Sequence, residues 1–216
     1  MKTKNHGQIY LLGELHCQIP IMKRQLELWH DFYHKKNLRY LFLEHCASVA
    51  EFLNIWMHAD NDDLLELLYE TALAENFPYI KEYFREIKRH CPETIFRGVT
   101  PSYPPIGEEL LKYLEKNNQK NSAKYAQTQN DIEKGKRLYA SYGGQWCDAY
   151  REKIIVENFI SEFEKLDGES VVGIFGVMHT VLDQIIYFGD EPGLSHQLKL
   201  RYGKAVHAED LSVLAH

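Results

Sequence analysis

Residues 8–44 read QIYLLGELHCQIPIMKRQLELWHDFYHKKNLRYLFLE. The run Gln8 to Leu12 is rich in apolar residues, ends at Gly13, and reads as a buried strand. Ile21 to Lys36 then carries Met22, Leu26, Trp29, Phe32 and Tyr33 at helical spacing. Arg39 to Leu43 (RYLFL) is a second buried strand, closed by Glu44. A strand, a helix and a strand, with both strands continuously apolar, predict a parallel βαβ unit covered on both faces.

The rest of the chain extends that pattern. From about Val49 to His90 the sequence is helical and amphipathic, and Pro78 marks a fresh helix start. Glu93 to Val99 (ETIFRGV) predicts a third strand, after which Pro101, Pro104 and Pro105 force a non-helical exit. Glu108 to Glu115, Ala123 to Tyr139 and Trp146 to Leu166 read as helices, the last with Val156, Phe159, Ile160 and Phe163 inward. Ser170 to Phe175 (SVVGIF) predicts a fourth strand, His179 to Tyr187 a helix, and Lys204 to Ala208 a last strand. The expected fold is α/β: one domain over residues 1–216, with a mostly parallel central sheet flanked by helices. Helix-rich regions at 49–92 and 106–166 are expected to cap the carboxyl ends of the strands.

Size and charge narrow the function classes. At 216 residues the chain can bury a core without disulfides. With 25 Lys+Arg against 31 Asp+Glu it carries a formal charge of −6, which argues against a duplex-binding surface. The basic stretch Lys81 to Arg89 interleaves its cations with Glu82 and Glu86 and reads as a solvated helix face. No apolar run approaches the length of a membrane span, and residues 1–16 lack the apolar core of a secretory signal. If numbering starts at the native Met, the expected location is cytoplasmic. Cys17, Cys46, Cys91 and Cys147 are scattered and read as free thiols.

Ligands in open α/β sheets sit at the carboxyl ends of strands, so the residues just past each strand matter most. The first strand is followed by Gly13-Glu14-Leu15-His16 and the fourth by Gly176-Val177-Met178-His179. Two strands thus end in Gly-x-x-His, and Glu14 and Glu44 fall at strand ends as well. A glycine permits a sharp exit from a strand and close approach to the backbone. With 13 Gly and 11 His in the chain, a single match means little, and either histidine alone reads as an ordinary structural one. The matched pair beside two acids is what suggests a site. An unpaired Glu44 at the end of an apolar strand would be costly to bury. Arg151 shares a helix stripe with Ile154, Ile155 and Asn158 and calls for an anionic partner, Glu44, Glu14 or a developing oxyanion; pairing on the surface with Glu152 or Glu157 is the plain alternative. Arg24 is a further cation within reach on the first helix, or simply part of a solvated face.

Several chemistries fit this set. His16, Glu44 and His179 could hold a divalent metal (Zn, Mn or Fe) and its water. Without metal, a histidine could act as general base oriented by a glutamate. A helix starting near His179 would favour its neutral form, whereas carboxylates at Glu14 and Glu44 would push the other way or orient an imidazole N–H. Cys17 and Cys46 follow His16 and His45, so a thiolate–imidazole pair is conceivable, though small buried thiols are the commoner outcome. Tyr139, Tyr142, Trp146 and Tyr150 around Gly143-Gly144 could line a pocket mouth or simply pack. There is no Gly-rich phosphate loop, no H-E-x-x-H and no Gly-x-Ser-x-Gly elbow.

Gly13-Glu14-Leu15-His16, a strand ending in Glu44, Arg151 on a late helix, and Gly176-Val177-Met178-His179 occur in that order over most of the chain. In this the sequence resembles the superfamily that unites erythromycin esterases, ChaN-like haem-binding proteins, TraB and TIKI proteins and a domain of a bacterial dermonecrotic toxin. The resemblance implies an α/β fold in which Glu14, His16, Glu44, Arg151 and His179 converge, and hydrolysis of an ester or amide bond in a small-molecule or peptide substrate. It implies equally a haem or iron binder, with His179, Met178 or another histidine as axial ligand, or a non-catalytic interaction module. Members often carry an acid or amide soon after the third strand's glycine, where this chain reads Gly98-Val99-Thr100; only Thr100 or Ser102 could substitute there.

Overall fold

A computed structural model describes residues 6–73, 77–140 and 145–215, with the side chains of 145 and 146 left out. Tyr142, Gly143, Gly144 and the Trp146 ring, expected near a pocket mouth, lie outside the described residues. Among those described, five strands form one parallel sheet in the order β3-β2-β4-β1-β7. They are β1 (Ile9–Glu14), β2 (Tyr40–Cys46), β3 (Ile95–Thr100), β4 (Val171–Gly176) and β7 (Val206–Asp210). A two-residue hairpin, β5 (Tyr187–Phe188) and β6 (Glu191–Pro192), stands apart. The expected βαβ unit is present, but its strands are not neighbours, because β4 inserts between β1 and β2.

The alternation along each strand explains why the sequence reads as continuous apolar runs. Leu12, Leu41, Leu43, Val172 and Ile174 face one core, shared with α1 (Ile19–Lys36), α2 (Ala47–Met57), α3 (Asp63–Thr71), α4 (Tyr79–His90) and α5 (Pro104–Lys116). Ile9, Leu11, Phe42, Val171 and Phe175 face the other, against α7 (Gln145–Glu164) and α8 (Leu194–Tyr202). Side chains alternate faces along a strand, so apolar residues are required at both parities. α6 (Ala123–Ala140) packs on α5 and α7. Pro78 does mark a helix start, as the N-cap of α4. Lys81, Arg85 and Arg89 of α4 pair with Asp62, Glu66, Glu82 and Glu86, while Lys88, expected on a solvated face, instead donates to the Trp56 and Ala59 carbonyls.

One predicted element is absent. The helix expected over His179 to Tyr187 is instead a single 3-10 turn, Val177–His179, followed by bends and the hairpin. Its apolar residues have helical spacing, but the chain is tied otherwise: Gly193 N–H donates to the Ile186 carbonyl at 2.8 Å, and Gly189 takes a positive φ of 63°. The sequence reading also leaves Leu194–Tyr202 unassigned, where the structure has α8.

The glycines at the strand ends serve close packing rather than sharp turning. None of Gly13, Gly98 and Gly176 has a positive φ. A Cβ on Gly98 would lie 2.2 Å from the backbone oxygen of Cys46, and one on Gly13 would lie 2.3 Å from Thr180 Oγ1. The contact at Gly98 is with backbone and cannot swing aside. Gly98→Ala is therefore expected to destabilise the fold by about 1–3 kcal/mol in urea unfolding; an unchanged midpoint would refute the close approach of β2 and β3.

Candidate functional site

Strand parity distributes the acids. Glu14 shares its parity with Leu12, on the α1 side, and Glu44 shares its parity with Phe42, on the α7 side. The β2–β3 register shifts between Leu43 and Cys46, the kind of irregularity that re-aims side chains at a strand end. Glu44 is thereby turned across the end of β4. Its Oε2 accepts the Gly176 N–H at 2.6 Å, and its Oε1 accepts Arg151 Nη2 at 2.6 Å.

His179 completes this group from the turn after β4. Its Nε2 lies 3.5 Å from Glu44 Oε1 and 3.4 Å from Arg151 Nη1. Its Nδ1 stands 2.7 Å from Glu152 Oε2, an ion pair lying off the line of a ring N–H hydrogen bond. The ring stacks flat on Phe188 of the hairpin, centroids 4.5 Å apart and 5° from parallel. Glu152 is 1% exposed, and its Oε1 accepts the Leu194 N–H at 2.6 Å, at the start of α8. That helix N-terminus favours its negative charge.

On the other side of Gly176, His16 Nδ1 lies 2.7 Å from Glu14 Oε1, and Gln25 Nε2 donates to Glu14 Oε2 at 2.5 Å. His16 is 63% exposed at its side chain, whereas Glu14 is mostly covered. Since a carboxylate only accepts, Nδ1 carries the proton and leaves Nε2 for the cleft. A Cβ built on Gly176 would lie 3.3 Å from Glu44 Oε2 and 3.5 Å from His16 Nε2. The glycine thus leaves open the space between the two halves of the site.

The charges arise from these contacts. Burial alone would push the Glu44 carboxyl up, but His179 and Arg151 outweigh it and hold it well below the usual carboxylate range. Burial alone would push His179 down, but Glu152 and then Glu44 hold it at about 9. Of the two opposed influences expected at His179, the α-helix start is absent and the carboxylates prevail, Glu44 as expected and Glu152 in place of Glu14. His16 is raised by its hydrogen bond to Glu14, against burial. Burial pushes His45 down.

All five expected residues, Glu14, His16, Glu44, Arg151 and His179, meet at the carboxyl end of the sheet. Arg151 turns to Glu44, not to the surface. Two polar partners, Glu152 and Gln25, lie outside the expected set. The sequence offers Glu152 only as a surface partner for Arg151, yet it lies on the Val156–Phe159–Phe163 stripe of α7, and its place on an inward stripe is the available signal. Gln25 sits one residue from Arg24, the cation expected within reach; Arg24 itself faces away, toward Glu27 at 3.1 Å and Glu209 at 3.7 Å. Burial raises the thiols of Cys17 and Cys46, opposite to what a thiolate–imidazole pair requires. All four cysteines are free. Thr100 reaches the cleft wall, and Ser102 is buried at 1% exposure.

Among the described residues, no three His, Cys, Asp or Glu side chains are grouped to hold a metal. In this arrangement Glu44 is taken up by Arg151 and the Gly176 amide, and His179 faces two carboxylates and a guanidinium. Among the described residues, no helix is long and apolar enough to cross a membrane.

No known protein family and no curated protein matches this sequence. Solved structures do match its shape. They include a Bacillus cereus protein (TM-score 0.60, 14% identity) and a succinoglycan biosynthesis protein (0.61, 14%). Each match covers 94% of this chain but 65% of the other, so the chain spans just under two thirds of their length. A mutant of the erythromycin esterase EreC, in its open conformation, matches at TM-score 0.61 and 11% identity, over 94% of this chain and 69% of EreC. The likeness is one of fold.

The flanking charges make stability depend on pH. His179 has its folded value raised to about 9 from 6.5, so its contribution is complete below 6.5 and lost as pH rises through 9. Glu44 is lowered from 4.5, so its contribution is present above that value and lost in acid. Urea midpoints should therefore fall between pH 6.5 and 9. His179→Gln should be less stable at about pH 6 and show a shallower alkaline fall; an equal fall in the variant would place its cause elsewhere.

Proposed function

We propose that this protein is a hydrolase of ester or amide bonds, with His16 as general base. The observation that carries the reading is the His16–Glu14–Gln25 chain, which leaves His16 Nε2 directed at the open space above Gly176. A base oriented by an acid that is itself held by an amide is how a catalytic imidazole is positioned. The fold shared with an erythromycin esterase supports the same class.

His16 Nε2 takes a proton from water, and the water oxygen bonds to the carbonyl carbon. The negative charge that forms on the carbonyl oxygen meets Arg151, which is held before reaction by Glu44 and backed by the protonated His179 behind it. As the intermediate collapses, the bond to the leaving oxygen or nitrogen breaks, and His16 returns its proton there. Glu44 and Glu152 keep His179 charged, and Glu44 keeps Arg151 in place. The expected divalent ion is not needed for these steps. The expected haem would need His179 to leave its carboxylates and Phe188, or Met178, which is 52% exposed, to serve. The helix ends and loops from 49–92 and 106–166 form walls of the cleft, and we assign them the role of cap.

Across a panel of esters and amides, His16→Ala should lower kcat/KM by about 10²–10⁴-fold, with or without added metal or chelator; unchanged activity would remove the reading. The wild-type kcat/KM should rise above pH 6.5 as His16 deprotonates and fall near 9 as His179 loses its proton. A profile still rising past that point would deny His179 its role. A Soret band on haem titration that His179→Ala abolishes would favour the haem-binding reading instead.

A further inference from the structure

The cleft has two unlike halves that meet at Glu44, His45, Leu73 and Arg151. One, about 530 Å³, is walled by polar residues including Glu70, Thr71, Thr100 and Tyr103. The other, about 300 Å³, lies on the His16 side and is walled by Met22, Leu43, Ile80, Tyr83, Phe84 and Ile174. Its charged groups, Glu14, His16, Glu44 and Arg151, belong to the catalytic cluster; Glu44 is neutralised by Arg151, and both Glu14 oxygens are taken up by His16 and Gln25. Nothing charged comes from α4: Ile80, Tyr83 and Phe84 present only apolar surface and a phenol whose hydroxyl is sealed from water and unpaired.

From this division we propose that the smaller half is an acyl pocket, taking the short aliphatic chain of an ester or amide whose carbonyl lies at His16 and Arg151. The proposal rests on the hydrolase reading for where the bond is cut. Apolar walls of Leu, Ile and Phe hold apolar ligands in preference to water. A volume near the lower end of ligand pockets selects a compact chain rather than a bulky ring system. The polar half is left to the alcohol or amine. Tyr83 and Ile80 then set chain length, although neither touches the reacting atoms.

The test uses straight-chain carboxylates, acetate to dodecanoate, titrated calorimetrically into the 216-residue chain. Each carboxylate mimics the acyl product, its head at Arg151 and His16. Affinity should rise about threefold to fourfold per methylene and level off once the pocket is full. Ile80→Trp, which fills the pocket, should abolish the rise while leaving acetate within about twofold. Met22→Ala, which enlarges it, should move the plateau to longer chains, and Ile80→Phe serves if the Trp variant does not fold. Affinity that is flat from acetate to octanoate in the wild type, or a rise that neither kind of variant alters, overturns the pocket. Chain-dependent binding without turnover of any ester keeps the pocket and removes the hydrolase reading. Turnover with flat binding does the reverse.

Discussion

A carboxylate buried at the end of an apolar strand has to be neutralised, and Glu44 meets that requirement from three directions. It takes a backbone amide from β4, a guanidinium from α7 and the edge of an imidazolium from the turn after β4. An isolated charge in that place would be prohibitive, and each of the three contacts offsets part of that cost. The order of the strands serves this: β4 lies between β1 and β2, so one acid can reach the end of its neighbour. The same requirement is repeated one layer out, where buried Glu152 balances His179 and holds the start of α8.

This charge pattern separates the two histidines, although their local sequences match. His179 is buried, stacked and flanked by two carboxylates, so it keeps its proton. His16 is mostly exposed and has one carboxylate at Nδ1, so its Nε2 is left for chemistry. Two groups of one residue type thus take opposite roles, a charge that stays and a proton acceptor, through environment alone.

Much of this is legible in the sequence, and the reasons differ by element. β1, β2 and β4 announce themselves because both sheet faces are covered, so each is apolar almost to its end, while β3, at the sheet edge, keeps Phe96 and Val99 inward around the half-buried Arg97. The site residues Glu14, His16, Glu44 and His179 stand out because they lie at or just past the carboxyl ends of strands, and Arg151 because a cation on an apolar stripe needs a partner. The stretch after His179 misleads, because apolar spacing alone does not separate a helix from a chain pinned by Gly193 and by stacking on Phe188. Glu152 and Gln25 escape the sequence because partner choice is tertiary: adjacent Arg151 and Glu152 look like a surface pair until the helix is docked. The order of strands, with β4 between β1 and β2, has no local signature at all.

The fold holds His179 as a cation between Glu44 and Glu152. Nitrogen NMR of the imidazoles, with His179 assigned by its Gln variant, reads this directly. Both His179 nitrogens should be protonated at neutral pH, with a titration near 9. A His179 ring that is neutral at pH 7, titrating at or below the ordinary 6.5, would contradict it.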